Sequence, residues 1–225
     1  MELDLDVVQP EARPIIGGVL FLHWFAPQDG GDNKTQFADE ARDLAAEGVV
    51  SVLPQLIFPW SVDPAGSAVD SAQIEAELAR LTQAVDRLVE LGARQIVMVG
   101  HDYGAMYGLL LMARDKRMGA GVVIAPSNRW ADWNVRFWKV DEDRLDYMRA
   151  MRSLDPIEHV ASIAPRPLLM QFADRDYFIA GMDAAELYRA AGEPRQIEEY
   201  EADHAMRNLK ARADRREFVL EALRS

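Results

Sequence analysis

RQIVMVGHDYGAMYGLLLMA, Arg94 to Ala113, is the stretch on which the reading of this chain turns. It opens with a short continuous apolar run, Ile96 to Val99, the pattern of a strand buried on both faces. Gly100-His101-Asp102-Tyr103-Gly104 follows, and then a small-residue-rich apolar segment of helical length. A residue with glycine two positions away on each side, between a buried strand and a helix, has the spacing of a sharp elbow that presents a reactive side chain. The glycines answer a geometric need. The tip is strained, and side chains at the flanks would collide with the neighbouring strand and helix. The tip residue is Asp102, not Ser or Cys. Its alternative role is to cap the helix that follows, where a carboxylate is favourable in any case.

Outward from the elbow, apolar strand-like runs alternate with amphipathic segments, which predicts an α/β fold with a mostly parallel sheet flanked by helices. Residues 2–8 read as a short edge strand, and 15–25, 49–53, 119–125, 167–172 and 196–200 as strands beside the elbow strand. Helices are expected over 37–48, 72–91, 155–163, 180–191 and 206–223, several closed by glycine. The segment 128–152 has no clear period and is rich in aromatics, so it reads as a short cap-like insertion in a single domain spanning 1–225.

Bulk properties narrow the function classes. At 225 residues the chain can bury a sizeable core, and its net charge of −12 disfavours nucleic acid and anionic membrane as partners. It contains no cysteine, which excludes disulfides, a thiol nucleophile and thiolate metal sites. No run approaches the roughly 20 apolar residues of a membrane span. No signal-peptide pattern opens the chain, so a cytoplasmic protein is expected. The four histidines lack metal-ligand spacing, and GHDYG lacks the Lys and Ser/Thr of a phosphate loop, so no metal or cofactor is expected.

Two later stretches carry further chemistry. MQFADRDYFIA places Asp174 and Asp176 just beyond the end of a buried strand, and EEYEADHAM places His204 just beyond the next. Loops at the carboxyl ends of parallel strands converge on one site. The order nucleophile, acid, histidine is thus laid out along the chain. His101 reads as a structural elbow residue, and His159 as solvent-facing on an outer helix.

LHWF, VGHDYGAMYG, LDPIEHVASIAPRPLLMQFADRD and ADHAM together resemble the dienelactone-hydrolase-like branch of the α/β-hydrolase superfamily, over nearly the whole chain. The resemblance implies Asp102 as nucleophile, Asp176 as orienting acid (with Asp174 as the alternative) and His204 as base. It also implies an oxyanion hole from backbone N–H groups of Tyr103 and of Phe25 or Trp24. Two positions depart from the pattern. Dienelactone hydrolases carry Cys or Ser at the tip, and the usual His-Gly after the first main strand is His23-Trp24 here. The GHDYGA elbow instead resembles that of epoxide hydrolases and haloalkane dehalogenases.

Chemistry separates these readings. Attack of a carboxylate on an ester carbonyl would give an anhydride, no easier to hydrolyse than the substrate. Attack on an sp³ carbon bearing a halide or epoxide oxygen gives an ordinary alkyl ester, which water activated by His204 can cleave. The expectation is therefore a cofactor-free hydrolase that forms an alkyl ester on Asp102, with an epoxide or halogenated small molecule as substrate. The alternatives are an ester or lactone hydrolase and a catalytically silent ligand- or partner-binding protein. The resemblance to epoxide hydrolases and haloalkane dehalogenases implies leaving-group assistance from Tyr147, with Tyr103 and Tyr107 less favoured, or from the indoles of Trp24, Trp60, Trp130, Trp133 and Trp138. His23 is placed in the substrate-binding set, with hydrogen bonding to loop backbone as its other role. The aromatics at 130–138 could instead form a homodimer surface.

Overall fold

A computed structural model describes residues 3–11, 13–26, 33–58, 65–137 and 142–225. Its sheet has seven strands: β1 (Leu5–Val8), β2 (Gly17–Leu22), β3 (Val49–Pro54), β4 (Ile96–His101), β5 (Met118–Ile124), β6 (Leu168–Ala173) and β7 (Arg195–Tyr200). Their spatial order is β1-β3-β2-β4-β5-β6-β7, parallel throughout except that β1 runs antiparallel on β3. The helices are α1 (Ala38–Ala45), α2 (Ser67–Glu90), α3 (Tyr103–Arg114), α4 (Trp130–Phe137), α5 (Arg144–Met151), α6 (Pro156–His159), α7 (Gly181–Ala190) and α8 (Leu209–Arg224).

Why the elbow strand is apolar without interruption is visible in its packing. Ile96 and Met98 of β4 join the core under α2 and α3, whereas Val97 and Val99 join the core under α1 and α8. Both faces are buried, so the pleat leaves no position for a polar residue. From β2 the chain passes outward to β3 and then returns to the other side of β2 as β4. That reversal makes the carboxyl ends of β2 and β4 a topological switch point, where a crevice opens in such sheets. Leu22 and Gly100 are register partners there, so the loop after Leu22 and the turn after His101 face each other.

Several boundaries differ from expectation. The long helix begins at Ser67 rather than residue 72, directly after Gly66 at φ 104°, because Asp70 in its polar first turn is fully buried and bonded. Residues 155–163 divide into α6 and a 3₁₀ turn over Val160–Ile163. The last helix starts at Leu209, capped by the Asn208 side chain on the Ala211 N–H. The aperiodic 128–152 segment holds two short helices, α4 and α5, the second capped by Asp143. Among the described residues no helix is long and apolar enough to cross a membrane.

Candidate active site

Asp102 stands between β4 and α3 at φ 57° and ψ −123°, a backbone state costly for a residue with a Cβ. Its N–H donates to Ile124 O at 2.9 Å, and its carbonyl accepts from Ala105 and Met106, which starts α3. The glycine spacing now has its reason. A Cβ at Gly100 would lie 2.7 Å from Ala105 Cα, and one at Gly104 would lie 2.3 Å from Leu22 O. The helix approaches the sheet too closely for any side chain at either place.

The carboxylate does not cap α3. Instead its Oδ2 accepts from the backbone N–H of Phe25 at 3.0 Å, across the crevice from the end of β2. Oδ1 is buried and has no hydrogen-bond partner. Nε2 of His204 lies 3.9 Å from that oxygen and is likewise buried without a partner. On the far side of the ring, Nδ1 sits 2.8 Å from Asp176 Oδ2. Asp176 is held in turn by the N–H groups of Phe178 and Ile179, which donate to its Oδ1 at 2.8 and 3.0 Å. Asp174 faces elsewhere and accepts from the Ala202 N–H. Asp102, His204 and Asp176 therefore form one line, from three loops at the carboxyl ends of β4, β7 and β6.

Burial raises the Asp102 pKa to about 7, against the opposing pull of His204 and of the Phe25 and Tyr103 N–H groups. Burial acts the other way on His204 and opposes its protonation, but the Asp176 hydrogen bond and the charges of Asp102 and Asp176 outweigh it and hold its pKa above the ordinary value. Both groups therefore hold a proton more tightly than their free counterparts. His101, buried and beside His204, is held well below its usual range, so it stays neutral.

The other expected site residues separate into those near the line and those elsewhere. Trp133 packs beside His204, with ring centroids 5.6 Å apart, and its indole N–H is buried without a partner. Trp24 is close by, its ring stacked on His101, but its N–H donates to Gln36, so Phe25 and not Trp24 supplies the donor to Asp102. Tyr103 is fully buried, with its hydroxyl donating to Asn134. Three expectations need correction. Tyr147 does not reach the site: its hydroxyl donates to buried Asp70 and accepts from Asn134, because an ionisable group sealed under the cap needs a partner. The Trp130 indole donates to Leu154 O, which removes it from leaving-group chemistry. Trp130 and Trp133 are buried within the chain, so neither offers an exposed dimer surface.

His23 hydrogen-bonds backbone on both ring nitrogens and is 1% exposed, which sets it behind the site wall, and Tyr107 donates to Ile57 O. Trp60 and Trp138 lie outside the described residues. Phe178 was missed from sequence although its ring, 4.9 Å from His204 and stacked on Trp133, closes the site beside Phe137. Its place two residues after an orienting Asp was the available signal, since that Asp folds an Asx-type turn around the base. Gln36 was missed as well, and nothing local in the sequence marks it. Among the described residues no group of three or more His, Asp or Glu is placed to hold a metal ion.

Solved structures share the fold. Est1E from Butyrivibrio proteoclasticus, solved with ferulic acid, superposes with a TM-score of 0.78 at 14% identity, over 99% of this chain and 96% of that one. The esterase domain of a Rhodothermus marinus protein gives 0.67 at 16% identity, covering 100% and 99%. TT1662 from Thermus thermophilus gives 0.72 at 16% identity, with both chains covered completely. At such identities the likeness speaks for the fold alone. No curated protein matches the sequence. The sequence profile of the alpha/beta hydrolase family matches residues 19–222, and the chain belongs to that family, as a hydrolase.

Proposed function

We propose that this hydrolase works through an alkyl ester on Asp102, opening an epoxide or displacing halide from a small apolar molecule. The observation that carries the reading is the division of labour between the two carboxylate oxygens. Oδ2 already occupies the backbone N–H site at Phe25, while Oδ1 is buried, unbonded and beside His204 Nε2. In an ester hydrolase with a Ser or Cys tip, that N–H site would wait empty for substrate oxygen. Here the only carbonyl that can form in it is that of Asp102.

In the first step Oδ1 attacks the substrate carbon as the bond to halide or epoxide oxygen breaks, and the leaving atom takes the electron pair. A halide can accept a hydrogen bond from the Trp133 indole; an epoxide oxygen leaves as an alkoxide, takes its proton from solvent water and ends as a hydroxyl. In the second, His204 Nε2 removes a proton from water as the water oxygen attacks Cγ of Asp102. Negative charge gathers on Oδ2, where the Phe25 and Tyr103 N–H groups meet it in a buried setting that makes such contacts strong. Collapse expels the Oδ1–carbon fragment as an alcohol, which takes its proton back from His204. Asp176 keeps the ring aligned and stabilises its cationic form.

The walls support an apolar substrate. Phe25, Phe58, Tyr103, Trp133, Phe137 and Phe178 pack ring to ring around the line. The test is isotopic. A single turnover in ¹⁸O-water should give product alcohol with unlabelled oxygen and a labelled Asp102 carboxylate. Label in the product on the first turnover, with none in Asp102, means direct water attack and rejects the ester.

A further inference from the structure

The peptide bond between Trp24 and Phe25 is held on one side by the Asp102 carboxylate and on the other by a side chain outside the reacting line. Its N–H, belonging to Phe25, donates to Asp102 Oδ2 at 3.0 Å. Its carbonyl, belonging to Trp24, lies 2.6 Å from Nδ1 of His23. The tautomer of His23 is set from the opposite edge of the ring, where the Leu56 N–H donates to Nε2 at 2.9 Å. Nε2 thus carries no proton, and the ring proton on Nδ1 donates to the Trp24 carbonyl. A trans peptide points its N–H and C=O in opposite directions, so fixing the carbonyl aims the N–H at Asp102. A hydrogen bond on the carbonyl also polarises that N–H and strengthens it as a donor.

A second chain runs from the preceding peptide. The Trp24 N–H donates to Gln36 Oε1 at 2.8 Å, which leaves the Gln36 NH₂ facing Nδ1 of His101 at 2.6 Å. That nitrogen must accept, so the His101 proton sits on Nε2 and donates to the carbonyl of His204 at 2.8 Å. Two backbone N–H groups, of Leu56 and Trp24, therefore dictate the direction of every hydrogen bond in the arrangement. The Trp24 ring covers His101 in a stack 5.3 Å between centroids. Burial, and then the charges of His204 and Arg215, hold His101 neutral against the opposing hydrogen bond to the His204 carbonyl.

We propose that His23 and Gln36 are positioning residues that clamp the Trp24–Phe25 peptide as the donor to Asp102 and, through His101, tie it to the loop carrying His204. The role assigned to that donor rests on the Asp102 ester reading; the clamp itself rests on the hydrogen-bond directions. It predicts two opposite tautomers in one protein, His23 protonated on Nδ1 and His101 on Nε2. Gln36→Glu keeps an acceptor for the Trp24 N–H but offers His101 no donor. Gln36→Met removes both.

The experiment is long-range ¹H–¹⁵N correlation spectroscopy of the histidine rings, with the Phe25 amide shift followed as Asp102 titrates. The wild type should show the two tautomers above, and a Phe25 amide that moves with Asp102. In Gln36→Glu the His101 ring should gain a proton on Nδ1 while the Phe25 response persists. In Gln36→Met that response should fall by half or more. Ester hydrolysis should then slow about 10-fold, a fraction of the cost of deleting an oxyanion donor. Ester on Asp102 should accumulate as a result, and Gln36→Glu should restore turnover. His101 protonated on Nδ1 in the wild type, or a Phe25 response unchanged in Gln36→Met, overturns the clamp, and the first holds even if no variant folds. Tautomers as stated with no ester on Asp102 for any substrate would reject the catalytic reading and leave the clamp standing.

Discussion

Replacing Asp102 by Asn should make the protein more stable in alkaline solution while abolishing its activity. The folded chain holds the Asp102 carboxyl at a pKa of about 7, because burial penalises the charge, against an ordinary 3.8. Between those values the unfolded chain has lost the proton and the folded chain still binds it, so stability falls as pH rises. The displacement is about three pH units at about 1.4 kcal/mol each, so ionised Asp102 costs the fold at most about 4 kcal/mol above pH 7. Asn is nearly isosteric, can still accept from the Phe25 N–H, and cannot ionise. Below pH 4, where Asp102 is neutral, the two proteins should differ little. His204 adds a second loss of stability in the same direction over a narrow range. Its raised pKa adds stability present at low pH and lost as pH rises through the folded value, and part of that comes from Asp102. The alkaline arm therefore belongs above the titration of His204. Urea unfolding there should favour Asp102→Asn by several kcal/mol, equivalent to roughly 10 °C in Tm for a chain this size. A stability difference that does not change between acid and alkaline pH would refute the claim that the elbow holds a strained, desolvated charge.

Other consequences follow from the same geometry. Removing His204 removes the positive charge that lowers the Asp102 pKa, so ester formation in His204→Gln should rise with pH through a midpoint above 7, measured by adduct formation against pH. Asp176→Asn should lower kcat by about 10²–10⁴-fold, because the amide can neither fix the His204 tautomer nor balance its cation. Trp133→Phe keeps the stacking on Phe178 but deletes the unpartnered indole N–H; it should slow carbon–halogen cleavage in haloalkanes about 10-fold and leave epoxide opening within about twofold, read in pre-steady-state kinetics. Gly104→Ala should destabilise by about 3 kcal/mol or fail to fold, since its methyl would overlap the Leu22 carbonyl.

How much of this was legible in the sequence depends on the range over which each constraint acts. The elbow was legible because its demands are local: the Gly100 and Gly104 spacing and the apolar run before it all lie within ten residues. Asp176 and His204 were legible because parallel strands deliver their carboxyl ends to one edge, so a residue just past a buried run is placed by topology. The cap was not. Tyr147 meets Asp70 from 77 positions away and Asn134 from 13, and the two helices that carry Asn134 and Tyr147 are only 8 residues each, too short for a period to stand out in the sequence. Aromatics there looked like candidates for leaving-group chemistry because indole and phenol donors are recognisable in sequence while their partners are not. The Leu154 carbonyl that occupies Trp130 is invisible until the chain folds. Gln36 is the extreme case, an unremarkable residue in a single 3₁₀ turn (Lys34–Phe37) whose two hydrogen bonds reach 12 and 65 positions along the chain.

The most direct test of the central claim is intact-protein mass spectrometry of His204→Gln, incubated in alkaline buffer with epoxides, haloalkanes, esters and lactones. With the water-activating base removed, the ester should form and persist. The account predicts a stable mass increase with an epoxide or haloalkane, mapped to Asp102 and absent from the Asp102→Asn, His204→Gln double variant. No adduct from any compound, together with wild-type ester hydrolysis that survives Asp102→Asn, would contradict it.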